Sequence, residues 1–167
     1  PNTILEILNI AIDAGKEILK VYNKNIIVKS KEDNSPLTIA DINSNNIIIN
    51  KLKNVDSSTP ILSEESLVDW SVRKTWDRYW LIDPLDGTKE FINRNGEFTV
   101  NIALIENNCP IFGVIYAPAK SLLYYAIKNH GAFKTKTSSK IKNLDQFKII
   151  KINEKKNDPI RVIGSRS

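Results

Sequence analysis

The 167-residue chain contains no methionine, one cysteine, one histidine and six glycines. The lone Cys109 has no partner for an internal disulfide. It stands beside Pro110 in an expected hairpin turn, without a metal-ligating neighbour, and reads as chemically inert. His130, between Asn129 and Gly131, reads as a surface turn residue. No apolar run approaches the roughly 18 residues that a membrane-spanning helix needs, and no basic, then apolar, then small-residue leader opens the chain. The expectation is a soluble protein of the cytoplasm without a membrane-spanning segment, peripheral association with the inner membrane being left open. Because methionine is missing even at position 1, and Val162-Ile163-Gly164-Ser165-Arg166-Ser167 reads as a strand entering a turn, a piece of a longer protein is expected.

What is present is a globular composition, 41% hydrophobic and 26% charged, enough to bury a sizeable core. The net charge of +5 arises from 24 basic and 19 acidic residues, with much of the excess after Lys134. Those lysines have no aromatic platform beyond Phe147, and only two arginines follow them, so nucleic-acid binding is not expected. A solvated lysine-rich surface is the reading, with attraction of a small polyanionic substrate as the alternative. Oligomeric state is not legible.

Periodicity predicts two helices followed by a series of strands. Ile4, Leu8, Ala11, Ile12, Gly15, Ile18, Leu19 and Tyr22 form one stripe over residues 3–23, and Thr3 with Glu6 has capping-box spacing. A second helix is expected from Thr38 to about Lys53, with Ile39, Ile42, Ile49 and Leu52 on one face. Short apolar runs predict strands at 26–28, 61–62, 79–82, 98–105, 111–117, 121–127, 132–134 and 147–152, with a helical turn near 68–72. Glu106 to Pro110 is the expected turn between the two longest strands. Consecutive strands with short turns imply an α+β fold, an antiparallel sheet with the two N-terminal helices on one face. The expected division is a unit at 1–135, followed at 136–167 by the start of a second.

The chemistry concentrates in Tyr79 to Phe91, YWLIDPLDGTKEF. A buried strand delivers Asp83 and Asp86 to an expected turn at Pro84-Leu85, and Gly87-Thr88 then opens a short helix. Carboxylate oxygens suit Mg²⁺, and free N–H groups at a helix start suit an anion, so metal and phosphate can meet in one loop. Asp-Pro and Asp-Gly are also ordinary turn dipeptides, which leaves a purely structural reading open. Phosphatases of the haloacid-dehalogenase type are excluded, since their two aspartates are separated by one residue and these by two. Glu64, Asp83 and Asp86 all lie at the ends of short strands. A pair of Mg²⁺ ions about 3.5 to 4 Å apart can clamp both oxygens of a phosphate displacement and needs several carboxylates. Glu64, Asp83 and Asp86 with the Leu85 carbonyl answer that need, and Asp41 with the Thr88 hydroxyl answers the need for a water-orienting pair. Asp41 also fits a helix cap with Thr38, Glu64 a solvated strand end, and Thr88 a cap on the short helix.

Three segments together carry a resemblance: Ser35-Pro36-Leu37-Thr38-Ile39-Ala40-Asp41, Ser63-Glu64-Glu65-Ser66 and Trp80 to Thr88. They resemble, in order and spacing, the inositol monophosphatase superfamily of Mg²⁺-dependent, lithium-sensitive phosphatases. Lys89-Glu90-Phe91-Ile92 and Gly164 to Ser167 look most like its 3'(2'),5'-bisphosphate nucleotidases of the CysQ type. The resemblance implies metal ligands at Glu64, Asp83, the Leu85 carbonyl and Asp86, and a water-activating pair at Asp41 and Thr88. It implies substrate phosphate at Glu64, Asp86, Gly87 and Thr88, and hydrolysis of adenosine 3',5'-bisphosphate to AMP and phosphate. The family's further metal-binding aspartate, in a Trp-Asp motif of a C-terminal α/β domain, has no match after Thr88. The alternatives are a related inositol or sugar phosphatase, and a truncated, non-catalytic metal- or phosphate-binding remnant.

Overall fold

A computed structural model describes residues 2–23 and 39–151. The expected strand at 26–28, the segment Ser35 to Thr38 and everything from Ile152 onward lie outside the described residues. Two helices, α1 (Asn2–Tyr22) and α2 (Ile39–Val55), precede a seven-stranded sheet whose spatial order is its chain order. Its strands are β1 (Ile61–Ser63), β2 (Arg78–Asp86), β3 (Thr99–Glu106), β4 (Cys109–Ala117), β5 (Leu122–Ile127), β6 (Gly131–Lys136) and β7 (Lys148–Ile150). Short helices α3 (Trp70–Arg73) and α4 (Thr88–Ile92) flank β2. Every strand pair is antiparallel except β1 with β2, which is parallel, so the sheet is mixed at one edge rather than antiparallel throughout.

The helical stripe of α1 buries Leu8, Ala11, Ile12, Gly15 and Ile18, and Ile7, Ile10 and Ala14 widen it. The width is needed because α1 packs against the sheet and against α2. Its closest approach to the sheet is at Gly15, where a Cβ would lie 2.5 Å from the Tyr116 ring. Asn2 is already helical, so Thr3 lies inside α1 rather than capping it. Alternate residues of the strands, Trp80 and Ile82, Val100 and Ile102, Val114 and Tyr116, Leu123 and Tyr125, meet the helices in the core. The connection after β6 returns to α1, where Asn9 donates to the Ile141 carbonyl at 2.9 Å and accepts from its N–H at 2.7 Å.

The expected face of α2 is corrected. Ile39 and Ile42 are exposed, Ile49 is half-buried, and the buried positions are Ala40, Asp41, Ser44, Asn45, Ile48 and Leu52. The first half of α2 packs on the ends of β1 and β2, whose backbone and hydroxyl groups need polar partners, and only its second half meets apolar side chains. The turn between β3 and β4 also contracts. Asn107 and Asn108, both at positive φ (49° and 60°), make a two-residue connection, and Cys109 and Pro110 are already strand. Two left-handed residues match the right-handed twist of the strands they join. Cys109 and His130 are both exposed.

Candidate active site

β2 does not turn at Pro84-Leu85. It continues as strand to Asp86 through an irregularity: Asp83 lies opposite Asn101 and Asp86 opposite Thr99, three steps on β2 against two on β3. A proline lacks the N–H that a strand between two neighbours should donate, and such a residue is tolerated inside a sheet at a bulge. Pro84 sits in this one, and its carbonyl accepts from Ser44 Oγ of α2 at 2.8 Å. In a regular strand residues three apart point to opposite faces; the extra residue re-aims Asp86.

The end of β1 lies beside the middle of β2, with Ser63 opposite Ile82 and Glu64 N–H donating to the Ile82 carbonyl at 3.1 Å. Asp83 is not at a strand end as expected but inside β2, ahead of the bulge, and Glu64, just past β1, is its neighbour, close enough to share a hydrogen bond. Burial first, then the charges of Glu64 and Asp86 and that shared bond, push the Asp83 carboxyl up to about 7, against a weaker opposing bond from the Leu85 N–H. Asp41, buried at the start of α2, is also pushed up to about 7, by burial and then by Glu65, Glu64 and Asp83. Glu65 is raised by burial and by Glu64. The strand ends are held to α2 through Ser63 Oγ, which donates to Asn45 Oδ1 at 2.7 Å and accepts from Glu65 N–H at 3.3 Å.

Gly87 leaves β2 at φ +90° and precedes α4, whose first residue is Thr88. A Cβ at Gly87 would lie 2.9 Å from the Glu97 carbonyl, so glycine is required by both space and conformation. Phe91 of α4 packs edge-on against Phe98, and both rings contact Tyr22 at the end of α1, which fixes α4 relative to the core.

Asp41, Glu64, Asp83 and Asp86 are thus brought to one locality, with the buried Leu85 beneath and Gly87-Thr88 following directly. Sequence reasoning passed over Glu65, Ser44 and Asn101. Glu65 was signalled only by standing next to Glu64, and Asn101 only as a polar residue in an apolar strand. Among the described residues no three His, Cys, Asp or Glu side chains stand in a geometry that holds a metal ion as they are. The acids' chemistry nevertheless fits a hard divalent cation. Asp83 Oδ1 is buried without a hydrogen-bond partner, and no ion pair of the described residues engages Glu64, Asp83 or Asp86. Clustered acids of this kind must either retain protons or bind a cation.

A profile of the inositol monophosphatase family matches residues 2–162. The 3'(2'),5'-bisphosphate nucleotidase CysQ of Escherichia coli (strain K12) is 52% identical over 123 residues, 72% of this chain and 50% of the relative. Its counterpart in Haemophilus influenzae is 42% identical over 159 residues, 94% of this chain and 56% of the relative. The crystal structure of CysQ from Bacteroides thetaiotaomicron, described as a bacterial member of the inositol monophosphatase family, superposes with a TM-score of 0.79 at 40% identity. That match covers 93% of this chain and 59% of the solved one. The chain spans about half the length of the curated relatives it matches. Among the described residues no helix is long and apolar enough to cross a membrane.

Proposed function

We propose that this chain, which belongs to the inositol monophosphatase family, carries the metal-binding half of a cytoplasmic Mg²⁺-dependent phosphatase that converts adenosine 3',5'-bisphosphate to AMP and phosphate. The observation that carries the reading is the convergence of Asp41, Glu64, Asp83 and Asp86 where β1 ends beside the bulged half of β2, next to Gly87-Thr88. The similarity to the named nucleotidases supports the choice of a bisphosphate nucleotide as substrate.

In this reading Glu64, Asp83, Asp86 and the Leu85 carbonyl hold Mg²⁺, which when bound offsets the charge on the attacking and leaving oxygens of the displacement. Asp41 and the Thr88 hydroxyl hold the attacking water. As the new P–O bond forms and the bond to the 3'-oxygen breaks, Asp41 takes a proton from the attacking water, and the departing 3'-oxygen takes one from solvent to become the 3'-hydroxyl of AMP. Backbone N–H groups from Asp86 to Thr88 receive the phosphate, with Glu64 at its border. We also propose that residues 1–135 are the catalytic α+β unit and 136–167 the start of a second, α/β unit; among the described residues β7 is hydrogen-bonded to β6 in the same sheet.

The test is phosphate release by the full-length protein from adenosine 3',5'-bisphosphate, with and without Mg²⁺, beside inositol 1-phosphate and sugar phosphates. Mg²⁺-dependent release from the nucleotide is expected to dominate. A preference for inositol phosphate would overturn the substrate, and undiminished release without a divalent ion would overturn the metal. In the same assay Thr88→Ser should retain much of the rate and Thr88→Val lose roughly 10²- to 10⁴-fold, the range of general acid–base assistance.

A further inference from the structure

Asn101 lies on β3 directly opposite Asp83, yet its side-chain amide is bonded to a different aspartate: Nδ2 donates to Asp86 Oδ2 at 3.1 Å. That bond crosses the bulge, so the irregular stretch of β2 is held by one side chain from the neighbouring strand. The other end of the same amide faces a shortage. Asn101 Oδ1 and Asp83 Oδ1 are both buried and both without a hydrogen-bond partner. With Asp83 ionised the two oxygens are both acceptors and cannot satisfy one another, and a buried polar atom left unmade is costly, so each calls for a cation or donor. An aspartate at 101 would add a third carboxylate beside Asp83 and Asp86. An apolar residue there would leave Asp86 unheld in solvent.

We propose that Asn101 is a positioning residue of the candidate metal site. Its N–H groups keep Asp86 on the face that Asp83 occupies, and its Oδ1 is a neutral acceptor beside Asp83 for the hydration of the bound ion. The inference rests on reading the carboxylates as a Mg²⁺ site. It goes beyond that reading by assigning to a β3 side chain the task of converting two bulge-separated aspartates into one ligand set. Outer partners of this kind typically carry 10- to 100-fold in metal affinity.

The experiment uses Mg²⁺ alone as the probe, in the full-length protein, and reads the metal-free Tm, the Mg²⁺-induced rise in Tm and the half-saturating Mg²⁺ concentration by calorimetry. Asn101→Ala should raise the half-saturating concentration roughly 10- to 100-fold, with the metal-free Tm little changed. In the phosphatase assay its kcat at saturating Mg²⁺ should stay within several-fold of wild type. Ala103→Ser, two residues along the same face of β3, should change none of these. In an Asp86→Asn background, where the ligand charge is already gone, Asn101→Ala should add less than about two-fold, since coupled residues do not add. Should Asn101→Ala fold too poorly to titrate, Asn101→Ser, equally unable to reach Asp86, is read in its place with the same expectation. Wild-type chain that binds Mg²⁺ while both variants bind it equally well would overturn this inference alone. Wild-type chain that binds no Mg²⁺ would overturn the metal site and this inference together.

Discussion

At Asp83, burial, a neighbouring glutamate and a neighbouring aspartate all favour the protonated carboxyl, and at Asp41 burial and three acids do the same. In both, the folded-state value of about 7 lies above the ordinary 3.8. The folded protein therefore keeps protons that the unfolded chain has released, and stability falls with pH between those values. The contribution of these groups is fully present below 3.8 and lost as pH rises through about 7. The metal-free Tm is expected to be higher near about pH 5 than near about pH 8, and Asp83→Asn should flatten that slope while abolishing phosphatase activity. Added Mg²⁺ should raise the Tm most at the alkaline end, where the carboxylates are free to bind it. Melting curves across pH, with and without Mg²⁺, check all three; a Tm that rises with pH in the metal-free protein would contradict the account.

At the scale of elements, the two long helices and β2 behave differently as sequence. The regular stripe of α1 was legible because its face meets apolar side chains along most of its length. The α2 face was not, since Ser44, Asn45 and Asp41 are buried against strand ends and the apolar Ile39 and Ile42 point outward. The bulge in β2 was read as a turn because Asp-Pro and Asp-Gly carry turn chemistry wherever they occur, and only pairing with β3 keeps the segment extended. Close packing of α1 yields a test. Gly15→Ala would gain about 1 kcal/mol of helix propensity, but the added methyl would lie 2.5 Å from a ring carbon of Tyr116, which is fully buried and has nowhere to move. Overpacking of about 1–3 kcal/mol outweighs the gain, so Gly15→Ala is expected to lower the Tm; a raised Tm would show that β4 yields.

At the scale of the whole molecule, one face of the sheet is covered by α1 and α2. The other presents a register row of Leu81, Ala103, Gly113, Ala126, Ala132 and Ile150 across β2 to β7. Leu81 and Ile115 on that face are 41% and 48% exposed, and it borders a cavity of about 860 Å³ that also reaches Glu64 and Asp83. A continuous apolar face of this kind drives association. Residues 1–167 purified alone are therefore expected to self-associate at micromolar concentration, with Leu81→Lys and Ile115→Lys reducing the effect in light scattering. They are also expected to release no phosphate from adenosine 3',5'-bisphosphate, because they span about half the length of the nucleotidases they resemble. Robust turnover by residues 1–167 alone would mean that the ligands or the unit boundaries are misassigned.

Sequence by itself determined the α+β class, the two helices and most strands, because hydrophobic periodicity and short-range motifs are local properties of the chain. Tertiary structure decided the rest. It set the parallel pairing of β1 with β2 that makes Glu64 and Asp83 neighbours, and it bulged β2 so that Asp86 comes within reach of Asn101. It buried Asp41 among acids that lie more than twenty residues away in sequence. Each of these depends on which backbone groups lack partners until two distant segments meet, and that is a property of the packed sheet rather than of any stretch within it.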